Sequence, residues 1–121
     1  MQIEQDSFQS ISPKGKYRQF RVNNDEMDCG HGFNLSEGDI VLARRIDEKY
    51  WTKRLNIESW FFILVFKNGE YVVRKIIEHN VEQMSVLCHP QNPMYADSTI
   101  FLYEICELYN VIKVIDKNTK L

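Results

Sequence analysis

The amino-acid sequence predicts a mainly β domain, built of several small, twisted antiparallel sheets with few short helical turns. Three observations lead to that class. Residues 60–66 read WFFILVF, residues 71–77 read YVVRKII, and Asn68 and Gly69 lie between them. An Asn-Gly pair between two β-rich runs marks a hairpin, because both residues accept positive φ in a type I′ turn. Residues 84–89 alternate, setting Met84, Val86 and Cys88 against Ser85, Leu87 and His89, which is the period of a strand. Finally, the aromatic content of 12%, rich in Tyr and Phe, suits pleated sheet surfaces.

Taken in order, residues 1–16 are polar and aperiodic and contain Pro13 and Gly15, so they read as a loose arm. A domain follows over residues 17–115. It opens with YRQFRV, where Phe20 and Val22 share one side of an extended chain. The stretch 22–39 is polar and carries Gly30, Gly32 and Gly38, and IVLA at 40–43 is the next strand. Residues 44–55 read as a loop with a helical turn that embeds Tyr50 and Trp51. The unbroken apolar run 60–66 implies a strand buried on both faces. His79 falls in a turn, and the prolines at 90 and 93 confine HPQNPMYADS to a loop. STIFL is extended, YEICEL reads as a turn, YNVIKVI is the closing strand, and residues 116–121 form a tail that frays.

Composition narrows the function. With 121 residues and 44% apolar content, the chain can bury roughly two-thirds of its unfolded surface as one domain. Fifteen basic and seventeen acidic residues are interleaved, unlike the basic footprint of an autonomous nucleic-acid binder. The cluster Arg44, Arg45, Lys49, Lys53 and Arg54 reads as a solvated face. Three cysteines without framework spacing argue for a reducing cytoplasm. No apolar run reaches the roughly 20 residues of a bilayer span, and no signal-peptide pattern opens the sequence. Cys29, His31, Cys88 and His89 lack zinc-finger spacing, and neighbours such as Cys88 and His89 point apart on a strand. Neither a metal nor a cofactor is therefore expected.

The order of motifs carries a resemblance. NDEM at 24–27, EGDIVLARRI at 37–46, VVRKI at 72–76, HPQNPMY at 89–95 and LYNVIKV at 108–114 together resemble the C-terminal domain of LexA-type and phage repressors and their UmuD-like relatives. Those are Ser-Lys peptidases that share a β-rich fold with signal peptidases. The likeness runs over most of the chain, from about residue 20 to 114. It implies a site loop containing Asp25, Met27, Gly38 and Asp39, and a loop in which Asn92 organises the turn and Tyr95 packs.

At the two catalytic positions this sequence departs from the family. Glu26 stands where the resemblance places the nucleophilic serine, and Arg74 where it places the lysine base. A carboxylate cannot follow the serine acyl-enzyme route, and a guanidinium stays protonated at any physiological pH. Lys75 is the fallback base, but successive strand residues point to opposite faces. Glu26 and Arg74 are instead expected to form an ion pair across the former cleft. The resemblance implies a homodimer through the closing strand at Tyr109, Val111 and Val114, or a regulatory protein partner, in transcription or SOS-type regulation. DNA would be reached only through a separate helix-turn-helix domain, and no membrane is involved. The chain is then either a fragment of a repressor or a stand-alone relative. A self-cleaving serine-type peptidase and a UmuD-like accessory subunit of a polymerase are the alternatives.

Overall fold

The computed structural model describes residues 16–30, 34–58 and 61–118. Most of the expected N-terminal arm, the end of the tail, His31 and Trp60 lie outside these residues. Among the described residues seven strands form: β1 (Tyr17–Arg21), β2 (Ile40–Arg45), β3 (Phe61–Phe66), β4 (Tyr71–Asn80), β5 (Ser85–His89), β6 (Ser98–Phe101) and β7 (Ile105–Asp116). Helical structure among the described residues is limited to two single 3-10 turns, Glu48–Tyr50 and Leu102–Glu104. The chain is mainly β and every pairing is antiparallel.

Where several small sheets were expected, the strands join in one sheet of order β1-β2-β7-β3-β4-β5-β6. Register shifts break it locally between β2 and β7, at Val65/Phe66 between β3 and β7, and around Ile77 between β4 and β5. Such shifts increase twist and bend a strand. A continuous sheet can therefore enclose two cores instead of dividing.

The first core gathers Phe20, Val41, Ala43, Phe61, Ile63, Val65, Val73, Tyr109 and Val111, roofed by Val22, Met27 and Leu35 of the 22–39 stretch. The second holds Phe62, Leu64, Ile76, Val86, Cys88, Ile100, Leu102, Ile105 and Leu108, with Trp51 and Leu55. Alternate residues of β3 enter alternate cores, and the strand is buried on both faces from Phe61 to Val65. That follows from its unbroken apolar run.

Several local expectations are corrected by particular contacts. Gly69 has φ +93°, but Asn68 is not in the positive-φ region. The hairpin therefore uses the three residues Lys67, Asn68 and Gly69, closed by Gly69 N–H to Phe66 O at 2.9 Å and Phe66 N–H to Glu70 O at 2.7 Å. Glycine supplies the left-handed residue of a bulged three-residue loop, and the Asn68 carboxamide accepts from Glu70 N–H at 2.9 Å. YEICEL is only briefly a turn, because β7 begins at Ile105. Ile105 and Leu108 face the same core although they are three apart, and the register shift opposite them hides the period of two.

Trp51 is a core residue, not a surface aromatic, and its indole N–H donates to Ile46 O at 3.0 Å. His79 lies on β4 rather than in a turn, and its Nδ1 accepts from Leu55 N–H at 3.2 Å. Burial holds its pKa below the ordinary imidazole value, and the charge of Arg54 pushes it the same way. The neutral ring thus tethers the 51–55 segment to the sheet.

One residue outside glycine has positive φ among those described, Met84 at +53°. It sits at the β4–β5 turn with its side chain partly in solvent. A left-handed conformation strains a residue bearing Cβ, and asparagine tolerates it better. Met84→Asn is expected to stabilise the fold by about 0.5–1 kcal/mol, raising the melting midpoint by about 4 °C. An unchanged or lower midpoint in a thermal melt would show that the strain is absent.

Candidate functional site

The stretch between β1 and β2 makes a turn whose geometry comes from short polar side chains. The Asn24 carboxamide oxygen accepts from Glu26 N–H at 3.0 Å, and Asp28 N–H donates to Asp25 O at 3.1 Å. These local bonds form an Asx turn and present Glu26 at its tip. Met27, next in sequence, is 1% exposed and plugs the first core. A buried methionine thus anchors a polar turn whose neighbouring carboxylate can face the sheet.

Arg74 lies on β4, opposite Phe62 of β3. Its Nη2 donates to Glu26 Oε1 and its Nη1 donates to Val73 O at 2.8 Å. The Arg74 side chain is 13% exposed and that of Glu26 24%. The two residues expected to pair therefore do so, in a partly buried setting. With its Nη2 engaged by a carboxylate and its charge permanent, Arg74 has no means of accepting a proton.

Lys75 lies one residue further along β4, opposite Phe61 and His89. The alternation of the strand turns it away from the face of Arg74. It borders a cleft of about 630 Å³ together with Cys29, His89, Gln91 and Asp97. His89 Nδ1 lies 2.6 Å from Asp97 Oδ1. Adjacent Cys88 is buried in the second core, where burial pushes its thiol up to about 12, against the pull of Arg74 and with a further push from Asp97. Cys88 and His89 point apart, and no group of three His, Cys, Asp or Glu among the described residues is placed to hold a metal ion.

The 90–97 loop braces the turn from the other side. Asn92 N–H donates to Glu26 O at 3.0 Å, and the Asn92 carboxamide donates to Asp25 O at 3.0 Å. Its oxygen also accepts from Met94 N–H at 2.9 Å, so Asn92 organises its own turn as expected. Tyr95 does not pack in the core. It is partly exposed, and its hydroxyl donates to Asp25 Oδ1 at 2.7 Å. That bond to a carboxylate holds the phenol above its ordinary pKa, with smaller contributions from burial and Glu26.

At the far end of the stretch, Gly38 has φ +96° and its N–H donates to Val22 O at 2.7 Å. Asp39 is fully buried and is the best satisfied carboxylate in the site. It accepts from Ser36 N–H at 2.9 Å, Lys117 Nζ at 2.6 Å and Asn118 N–H at 2.7 Å. Burial alone would raise its pKa; the bonds from Lys117, Asn118 and Ser36 outweigh that and leave it lowered. The tail expected to fray from residue 116 is instead pinned as far as Asn118, because a buried carboxylate needs those donors.

Of the three residues the resemblance assigns to a dimer, two are buried and one is partly buried. Tyr109 and Val111 are buried in the first core, and Val114 packs against it. Burial leaves Ile112 and Ile115 as the exposed apolar residues of β7. The basic cluster is also partly neutralised, since Glu107 lies 3.7 Å from Arg45. Among the described residues no helix is long and apolar enough to cross a membrane. No protein-family model matches this chain, and no curated protein does so either.

Two measurements check this site. In a double-mutant cycle, Arg74→Met alone should cost about 2 kcal/mol by leaving the Glu26 carboxylate unpaired, and adding Glu26→Gln should recover about 1 kcal/mol; strict additivity would mean the pair does not couple. The second concerns acid. A carboxyl with a lowered native pKa makes its full contribution above the ordinary value of 3.8 and loses it as the pH falls through the native value. The stability advantage of the wild type over Asp39→Asn in urea melts should therefore be constant near neutrality and shrink below pH 3.8; an advantage that grows on acidification would reverse the assignment.

Proposed function

We propose that this chain is a LexA-like regulatory domain without peptidase activity, which works in the cytoplasm by self-association in transcription or SOS-type control. One observation carries the reading: the Glu26–Arg74 ion pair, at the two positions where the motif order places a nucleophile and a base. A Ser-Lys mechanism needs a hydroxyl and a lysine neutral enough to take its proton. An ion pair offers neither group. What the pair does offer is a fixed contact between the 22–39 stretch and β4, which suits a surface used for binding. DNA contact would require a separate domain.

Self-association is supported by Ile112 and Ile115, two exposed apolar side chains on the strand that the motif order assigns to a dimer. Burial places Tyr109 and Val111 in the interior, so the pair at 112 and 115 takes over the role expected of them. A two-fold contact would bring the same strand from both copies together.

Incubation near pH 10 raises the neutral fraction of lysine side chains, so it is the condition that would reveal a dormant dyad. Intact-mass spectrometry is expected to find the chain uncut; a shorter product that disappears in Lys75→Ala but persists in Arg74→Ala would establish peptidase chemistry instead. On the same sample, sedimentation should find a dimer that Ile112→Asp with Ile115→Asp converts to a monomer. A monomeric wild type would sink the self-association reading.

A further inference from the structure

We infer that residues 117 and 118 form a latch on the 22–39 stretch, so that displacing the end of β7 opens the turn carrying Asp25 and Glu26. The observation behind it is a bond network that spans about eighty positions of sequence. Lys117 Nζ donates to Asn34 O at 3.1 Å as well as to Asp39 Oδ2. Asn118 N–H donates to Asp39 Oδ1, and its carboxamide donates to Glu37 O at 2.9 Å. The Asn118 side chain also fills the space where a Cβ on Gly38 would stand, 2.5 Å from its carboxamide nitrogen. Glycine at 38 therefore serves both the positive φ and the close approach of the latch.

The network continues from the latch towards the turn. The Asn34 carboxamide donates to Asp28 Oδ1 at 2.9 Å and to Ser36 Oγ at 3.3 Å, and the same Asp28 oxygen accepts from Gly30 N–H at 3.0 Å. Asp28 is two residues from Glu26. Leu35 and Met27, both buried, are joined through Leu35 N–H to Met27 O at 3.5 Å. Moving residues 34–39 therefore moves the turn.

Desolvation makes the coupling obligatory. Asp39 is fully buried, whereas the Lys117 side chain is 46% exposed, so the lysine is the partner that can leave into water. Once Lys117 and Asn118 leave, the carboxylate keeps only the bond from Ser36 N–H among the described residues. A carboxylate that has lost most of its donors must be hydrated, and that hydration loosens the 34–39 segment that carries it. By linkage, whatever opens the turn also loosens the end of β7. The inference does not depend on the role assigned to Glu26, because it concerns how the turn is held.

Backbone hydrogen exchange read by mass spectrometry on the full chain tests it. Lys117→Met keeps the aliphatic stem and removes the ammonium; Asn118→Ala removes the carboxamide while keeping the backbone N–H that donates to Asp39 Oδ1. Together they should speed exchange in peptides covering residues 22–39 by tenfold or more, with the β3–β4 hairpin unchanged. Unchanged exchange over 22–39 would overturn the latch, as would an equal rise in the hairpin, which would mean loss of global stability only. Lys117→Met alone should give a smaller rise in the same peptides; a rise confined to the end of β7 would show that the turn is held independently.

Discussion

Burial of β3 on both faces is the constraint on which the rest of the structure depends. Phe61, Ile63 and Val65 enter one core while Phe62 and Leu64 enter the other, and each fully buried side chain contributes about 2 kcal/mol of transfer free energy. A strand in that position needs partners on both edges and cover above and below. β4 and β7 supply the edges. The 22–39 stretch covers the first core and the 46–57 segment covers the second. The site loop is therefore a roof before it is a site, and its polar turn is positioned by Met27 and Leu35 beneath it.

β4 connects that core to the site. Its alternation places Val73 in the first core and Ile76 in the second, with Arg74 and Lys75 between them. Two adjacent cations on one strand thus meet different surroundings. Arg74 finds the Glu26 carboxylate, and Lys75 looks into a cleft with His89 and Asp97. Guanidinium is the better choice for the enclosed position, since it is more weakly hydrated than ammonium and grips a carboxylate in a fixed plane. The strand geometry, more than the residue types, decides which cation belongs to the turn.

Much of the architecture was legible in the residues. The hairpin of the runs 60–66 and 71–77, the buried strand within it, the extended segments read at 17–22, 40–43 and 84–89 and the pairing of Glu26 with Arg74 all follow from runs, alternation and complementary charge. The turn read at YEICEL and the division into small sheets come from local patterns that bulges interrupt, whereas the type I′ turn is read from the Asn-Gly pair alone. A bulge inserts one residue and shifts the phase of a period of two, so a continuous strand reads as a break. Likewise Tyr109 and Val111 look like an accessible strand until both neighbours of β7 are known.

By itself the sequence determined the β class, the central apolar strand and the polar, glycine-bearing character of residues 22–39, because these depend on residue type and near-neighbour spacing. Only the tertiary structure decided that the strands form one sheet around two cores, that His79 tethers a loop and that Asp39 holds Lys117 and Asn118. A buried carboxylate announces that it needs donors. It does not say which of the chain's fifteen basic residues will provide them, since that partner is set by where β7 ends after pairing with β2. The choice belongs to long-range register, which near-neighbour chemistry cannot encode.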